Sequence, residues 1–282
     1  MKKKKPLIGT ALGAVLAGWL IWGNSAPMTS VYQIVSSGLP EEFHGFRIAQ
    51  ISDLHNGEFG AGNETLLSML AETKPDIVVL TGDLIDSRNM NLPVALAFGE
   101  EAAKIAPCYY VTGNHESRID GLPELLNGLT DAGVTVLRNE KITLERNDNA
   151  ITLLGVDDPA FRSDYMTGDS GPVLTEALSE LMEEQMGYTI LLSHRPEWFQ
   201  LYRDFGVNLV FSGHAHGGQF RLPFVGGLIA PNQWFFPEYD AGVFTEEGTS
   251  MVVSRGLGAS MIPLRINNRP ELVVAELHRL EE

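Results

Sequence analysis

Short apolar runs alternate with helical periodicity from residue 31 almost to the C-terminus. Residues 46–51 alternate apolar and polar positions, the pattern of a strand with one covered face. Residues 77–80, 189–192 and 209–211 are apolar throughout, the pattern of a strand covered on both faces. Residues 151–154, 251–253 and 272–275 complete the predicted strands. Helical spacing predicts helices over 64–74, 93–105, 122–132, 174–184 and 196–205. Asn63 stands where an N-cap belongs, and Pro75 stands where the helix must stop. Strands alternating with helices predict an α/β architecture. Residues 24–30 read as a polar linker, so the chain divides into an N-terminal segment, 1–30, and one domain, 31–282.

The N-terminal segment has its own pattern. Lysines at positions 2–5 precede an uncharged stretch, 7–22, rich in Leu, Ala, Gly and Val. This is the arrangement of an export signal or a membrane anchor. Sixteen helical residues rise about 24 Å, short of a hydrocarbon core of about 30 Å. Trp19 and Trp22 stand at the far end, where indole rings favour the interface. The expectation is a cell-membrane protein with one N-terminal anchor and an extracytoplasmic catalytic domain; secretion after signal cleavage is the alternative.

Composition changes the picture in two places. Formal net charge is −16, with thirty-six acidic residues against twenty basic ones, four of which are the N-terminal lysines. So acidic a body argues against sequence-independent nucleic-acid binding, which rests on basic patches. One cysteine, Cys108, forbids an intrachain disulfide and, in its apolar run, reads as a buried small hydrophobe.

The candidate chemistry sits just past the apolar runs. Five of seven histidines fall in short polar motifs: Asp53-Leu54-His55, Gly82-Asp83, Gly113-Asn114-His115-Glu116, Ser193-His194 and Gly213-His214-Ala215-His216. Asp53, Asp83, Asn114, His194 and His214 each fall one to three residues past the end of an apolar run, that before Asn114 being 108–111. Ligand sites of α/β sheets lie outside the carboxyl ends of strands, so dispersed positions converge there. Carboxylate oxygens with imidazole nitrogens suit Mn, Fe, Co or Zn better than Ca or Mg. Seven ligand groups are too many for one tetrahedral ion. They suit two ions sharing a bridging carboxylate, an arrangement that activates water for in-line attack at phosphorus.

The ordered motif set resembles the calcineurin-like metallophosphoesterases, from about Phe46 through Glu271. The segments 213–223, Ser254-Arg255-Gly256-Leu257-Gly258 and Asn268-Arg269-Pro270-Glu271 are similar to one bacterial branch with an N-terminal membrane segment, which includes phosphodiesterases. The resemblance implies a four-layer αββα sandwich of two mixed sheets, with the metal site at the strand C-terminal ends. It implies two divalent ions per chain (Mn, Fe or Zn), the first held by Asp53, His55 and His216 and the second by Asn114, His194 and His214, with Asp83 between them. It implies that His115 contacts the phosphoryl oxygen and protonates the leaving group. The implied activity is hydrolysis of a phosphodiester or pyrophosphate, lipid-linked in one version, by metal-activated hydroxide. The alternatives are a phosphomonoesterase or nucleotide pyrophosphatase with a soluble substrate, and a metal-dependent binding protein without turnover.

Other residues carry weaker expectations. Arg255, in the loop after the strand 251–253, is placed to clamp a substrate phosphate, and Arg195 has similar standing. Glu116 either orients His115, accepts a backbone bond or joins a loop salt bridge. Residues 220–244 are unusually apolar, which suits either an acyl-binding wall or a loop packed over the core. His44 and His278 read as surface residues.

Overall fold

The structure, a computed structural model, describes residues 4–162, 170–184, 187–259 and 262–280. In chain order the elements are α1 (Lys4–Ser25), β1 (Met28–Ser36), β2 (Arg47–Ile51), α2 (Glu64–Glu72), β3 (Ile77–Thr81), α3 (Leu92–Ile105), β4 (Cys108–Val111), α4 (Leu122–Asp131) and β5 (Val134–Val136). There follow β6 (Glu140–Arg146), β7 (Asn149–Gly155), α5 (Gly171–Leu181), β8 (Thr189–Leu192), α6 (Phe199–Asp204) and β9 (Leu209–Ser212). Two small hairpins come next, β10 (Arg221–Leu222) with β11 (Gly226–Gly227) and β12 (Ile229–Ala230) with β13 (Trp234–Phe235). β14 (Gly242–Glu246), β15 (Thr249–Val253) and β16 (Glu271–Arg279) close the chain.

Two six-stranded sheets form the body, in the orders β1-β16-β2-β3-β4-β5 and β14-β15-β9-β8-β7-β6. Both are mixed. β2 to β5 run parallel while β16 opposes β2, and β15, β9, β8 and β7 run parallel while β14 and β6 oppose their neighbours. Three apolar clusters define the layers. Leu66 and Leu70 of α2, Phe98 of α3 and Leu125 of α4 pack on Ile51, Val78 and Leu80 of the first sheet. Val79, Tyr109 and Val111 of that sheet meet Leu153, Ile190, Leu192 and Phe211 of the second. Leu174 and Leu178 of α5 and Phe199 and Tyr202 of α6 cover Leu191 and Val210. The result is the four-layer αββα sandwich expected. The central strands are buried on both faces, which is why they read as unbroken apolar runs. Each such Leu or Phe contributes roughly 1.5–3 kcal/mol by leaving water.

Several local expectations need correction. Asn63 does not cap α2: its own φ is 65° and its Oδ1 accepts from the Phe59 N–H. α2 ends at Glu72, before Pro75, where Lys74 turns with φ 48°. The helix expected over 196–205 begins as a 3-10 turn and is α-helical only from Phe199. β1, β5, β6 and β14 are strands that the periodicity does not predict. β1 and β6 are sheet edges whose half-exposed, alternating faces dilute the apolar signal. Cys108 is buried as expected, and burial pushes its thiol up to about 12.

Helix α1 stands largely clear of the body, with Leu12, Val15, Leu16, Ile21 and Trp22 exposed. Its last turn is tied down. The Asn24 side chain donates to the Arg265 carbonyl and accepts from the Arg265 N–H, and the Arg269 guanidinium lies over the Trp22 ring at 4.2 Å. Among the described residues, no helix is long and apolar enough to cross a membrane.

Candidate metal centre

Every candidate ligand sits on the turn that ends a central strand. Asp53 and His55 follow β2, Asp83 follows β3, Asn114 and His115 follow β4, His194 follows β8, and His214 and His216 follow β9. Cross-strand bonds lock these turns together: the Asp53 N–H donates to the Gly82 carbonyl, that of His55 to Asp83, and that of Gly213 to His194. The Gln50 side chain ties the sheets to each other by donating to Thr81 Oγ1 and to the Ser212 carbonyl. Asp53, His55, Asp83, His214 and His216 all have positive φ, between 48° and 63°. Five non-glycine residues held in that sparsely populated region store strain the surrounding fold must compensate, as functional sites do. Gly113 and Gly213 permit the close approach. A Cβ on Gly113 would collide with Asp83 Oδ1, and one on Gly213 with Ser52 Oγ.

Side-chain donor atoms converge in two groups, Asp53–His55–His216 and Asp83–His194–His214, with the atoms of each within 4.8 Å of one another. His55, Asp83 and His115 form a third such group. His216 Nε2 lies 3.2 Å from His55 Nε2 and 3.3 Å from Asp53 Oδ1. His194 Nε2 lies 3.3 Å from Asp83 Oδ2 and 3.2 Å from His214 Nδ1. Backbone carbonyls choose which ring nitrogen faces inward. His55 Nδ1 is 3.2 Å from the Ile85 carbonyl and His194 Nδ1 is 2.7 Å from that of Thr81. Those nitrogens therefore carry the proton, and each Nε2 offers a lone pair to the cluster. His214 is reversed: its Nδ1 faces inward, while its Nε2 lies 2.8 Å from Asn232 Oδ1 and 3.0 Å from Arg195 Nη1.

The Asn114 Oδ1 atom is buried and accepts no hydrogen bond among the described residues. A buried orphan carbonyl costs free energy unless a cation completes it. The electrostatics agree. Burial raises Asp53 to about 6, against the nearby His194 charge. His194 would be lowered by burial, but Asp83, Asp53 and Asp158 hold it up at about 10. Burial drives His55 down to about 4 and His214 and His216 well below the usual imidazole range. Neutral His55, His214 and His216 beside carboxylates in a dry pocket suit a divalent cation, which would displace the proton that the carboxylates hold on His194.

His115 is placed differently. Its backbone N–H donates to Asp83 Oδ1. Its Nδ1 accepts from the Ser87 N–H at 3.0 Å, which puts the neutral ring's proton on Nε2.

The calcineurin-like phosphoesterase family profile matches residues 46–218. The chain belongs to that family. It is 34% identical over 258 residues to the uncharacterized metallophosphoesterase YkuE of Bacillus subtilis (strain 168), covering 88% of this chain and 85% of that one. It is 29% identical over 239 residues to the phosphodiesterase YaeI of Escherichia coli (strain K12), covering 82% of each. Its fold is similar to the crystal structure of TT1561 of Thermus thermophilus, with 14% identity and a TM-score of 0.52 over 75% of this chain and 90% of that one. The chain is thus a metal-dependent phosphoesterase, a hydrolase with a phosphate-ester substrate and His/Asp clusters suited to a dinuclear divalent site.

Other expected residues resolve individually. Glu116 is fully buried and accepts backbone N–H bonds from Gly113, Asp83 and Leu84, so it fastens two motif turns together and is not in a loop salt bridge. Burial raises its carboxyl to about 8. Arg195 is buried, forked onto Asp158 at 2.5 and 2.8 Å, and its Nη1 donates to Asn232 Oδ1 at 3.0 Å. Arg255 lies against Glu271, with Nε 3.6 Å from Oε1, on the wall of a cavity shared with α1. His44 is exposed and His278 partly so, their rings meeting edge to face. The apolar stretch 220–244 divides in two. Tyr239 and Phe244 pack together on Phe199, whereas Leu222, Phe224, Val225, Trp234, Phe235 and Phe236 on the two hairpins face solvent. Sequence reasoning missed Asn232 altogether. It lies in the turn between β12 and β13, and only the folded chain places its carbonyl oxygen against His214.

Proposed function

We propose that this chain hydrolyses a phosphodiester or pyrophosphate of an amphiphilic substrate at a membrane surface. The observation that carries the reading is the convergence of Asp53, His55 and His216 with Asp83, His194 and His214, beside the orphaned Asn114 Oδ1. Asp53, His55 and His216 would hold one ion and Asn114, His194 and His214 the other, with Asp83 between the two groups. Mn, Fe or Zn suits that donor set. When bound, such a pair supplies Lewis-acid activation of water and neutralises charge growing on phosphorus oxygens.

The chain's own residues do the rest. Glu116 holds the Asp83 and Asn114 turns in register by accepting backbone N–H groups from both. His115, with Nδ1 committed to Ser87, presents its Nε2–H to a phosphoryl oxygen and strengthens that bond as charge accumulates. Protonating a leaving group would need a proton on both ring nitrogens, which the Ser87 N–H opposes, so hydrogen bonding to the phosphoryl group is the role the geometry favours. Asn232, and Asp158 through Arg195, hold the His214 ring with Nδ1 inward.

Membrane proximity rests on α1 and the hairpins. The apolar stretch 7–22 is too short to cross but long enough to enter one side of a bilayer, and the exposed hairpin aromatics lie on the segment leaving the 213–216 metal loop. Lysines at positions 2–5 favour export of the catalytic domain. The test compares hydrolysis of bis-p-nitrophenyl phosphate, p-nitrophenyl phosphate and a lipid-linked diester by purified, metal-loaded protein. Preference for diesters is expected. Hydrolysis of the monoester alone would overturn the diester reading, and no hydrolysis of any under all metals would overturn turnover itself.

A further inference from the structure

A cavity of about 210 Å³ lies where the last turn of α1 meets the loop after β15. One wall is apolar, built from Trp19, Leu20, Trp22 and Met28. Three arginines, Arg255, Arg265 and Arg269, line the cavity as well, with Arg269 over the Trp22 ring. In a chain of net charge −16, three guanidiniums around one cavity are a strong local exception. Glu271 and Asp53 are the acidic groups that act on this cluster. Glu271 is also occupied by Ser30 Oγ and the Arg255 N–H, and Asp53 belongs to the metal centre.

The three arginines are not equally committed. Arg265 donates to the Arg255 and Gly258 carbonyls, and Arg269 donates to those of Ala26 and Pro27. Arg255 has a buried Nε that no hydrogen bond satisfies, only the 3.6 Å approach to Glu271. A buried guanidinium N–H without an acceptor is costly, and an incoming phosphate oxygen would supply one.

We propose that this cavity binds the phosphate headgroup of an anionic phospholipid, with the lipid's glycerol and first chain carbons against Trp19 and Trp22. The shared chemistry is a phosphodiester anion joined to an apolar chain. The placement agrees with the depth at which such a group lies. Leu12 to Trp22 of α1 spans about 15 Å, half of a hydrocarbon core of about 30 Å, and its far end meets the cavity. Indoles and arginines at the end of such a stretch stand at headgroup level. The loop that carries Arg255 also holds Gly256 and Gly258, which pack against Asp53 and Leu54, so an occupied cavity fixes the metal centre close to the bilayer. This rests on the membrane-proximal part of the functional reading, not on turnover.

The probe is dihexanoyl-phosphatidylglycerol below its micellar concentration, titrated into the full chain with lysines 2–5 changed to Gln. Dihexanoyl-phosphatidylcholine and glycerol phosphate run in parallel. Each titration is done on metal-loaded and on chelated protein, because a lipid held at the metal centre would leave with the metal. Saturable binding of the anionic lipid is expected in both states, weakened about tenfold in Arg255→Gln and in Arg269→Gln. Trp19→Ser, at a half-exposed position with nothing to unfold, should weaken it too at unchanged Tm. Phosphatidylcholine and glycerol phosphate should bind at least about tenfold more weakly. Equal binding of phosphatidylcholine, loss on chelation, or unchanged affinity in folded Arg255→Gln and Trp19→Ser would overturn the proposal. Equal binding of glycerol phosphate would make the ligand a free anion and overturn the lipid assignment.

Discussion

The metal centre and the hairpins β10 to β13 adjoin in space and are built on opposite principles. In the centre, Asp53, Asp83, His194, His214 and His216 are almost wholly buried, five residues are held at positive φ, and three imidazoles have the nitrogen facing away from the cluster hydrogen-bonded. Strain there is sustained because two sheets and many buried bonds over-determine each position. The hairpins are two-residue ladders whose large apolar side chains, Phe224, Trp234, Phe235 and Phe236, face water. Their side chains are held by little, and they contribute little to folding. A region that spends strain on geometry is catalytic in character, and a region that leaves apolar surface uncovered invites a partner. Asn232 joins the two: it belongs to a hairpin turn, yet its side chain sets a ligand histidine.

The largest expected effect breaks the centre itself. Asp83→Ala should lose both ions by elemental analysis and take turnover to background, because the bridge serves both groups. Retention of one full equivalent would show two independent sites. His115→Ala should keep near-full metal content while turnover falls about 100- to 1,000-fold, the cost of losing one hydrogen-bond donor to developing charge. Wild-type turnover in that variant would remove His115 from the chemistry and leave the centre's work to the metal ligands alone.

Asn232→Ala tests the joint between the regions. Losing a partner that holds a ligand ring should weaken metal binding by about 10- to 100-fold, with one ion of the pair affected first in a chelator competition. Unchanged affinity would mean that Arg195 alone suffices to orient His214. The smallest effect on the fold belongs to the hairpins. Trp234→Ser, Phe235→Ser and Phe236→Ser together should move stability by no more than about 0.5 kcal/mol per site, since exposed positions rarely do more. Thermal unfolding checks that. kcat/KM should fall for a lipid-linked diester and stay constant for a small soluble one. Equal loss on both, or an unfolded variant, would place these aromatics in the core and erase the contrast between the regions.

Much of the architecture was legible before folding because it is local. The apolar runs at 77–80, 189–192 and 209–211 read as strands covered on both faces, which permits the αββα layering; the layering itself came from the family resemblance. The candidate ligands were legible because each sits two or three residues beyond its run, so strand geometry carries Asp53, Asp83, Asn114, His194 and His214 to one edge. Edge strands β1 and β6 were not, since a half-wet strand shows neither a full run nor a clean alternation. Asn63 read as a cap because composition names a residue type, not the φ it will adopt.

The rest belongs to contacts between residues distant in sequence. Glu116 chose backbone donors over a salt bridge because the fold buries it between two turns. The ring orientations of His55, His194 and His214 depend on Ile85, Thr81 and Asn232, none of which a motif identifies. Whether residues 220–244 lie inside or outside was undecidable from hydrophobicity, because burial is a property of what packs on top, and here Tyr239 found Phe199 while Trp234 stayed in solvent. The helical pattern named α1 as apolar; only the docking of Asn24 and Trp22 on Arg265 and Arg269 set its end beside three arginines. Periodicity reports the environment that each element demands, and tertiary packing alone decides which neighbour supplies it.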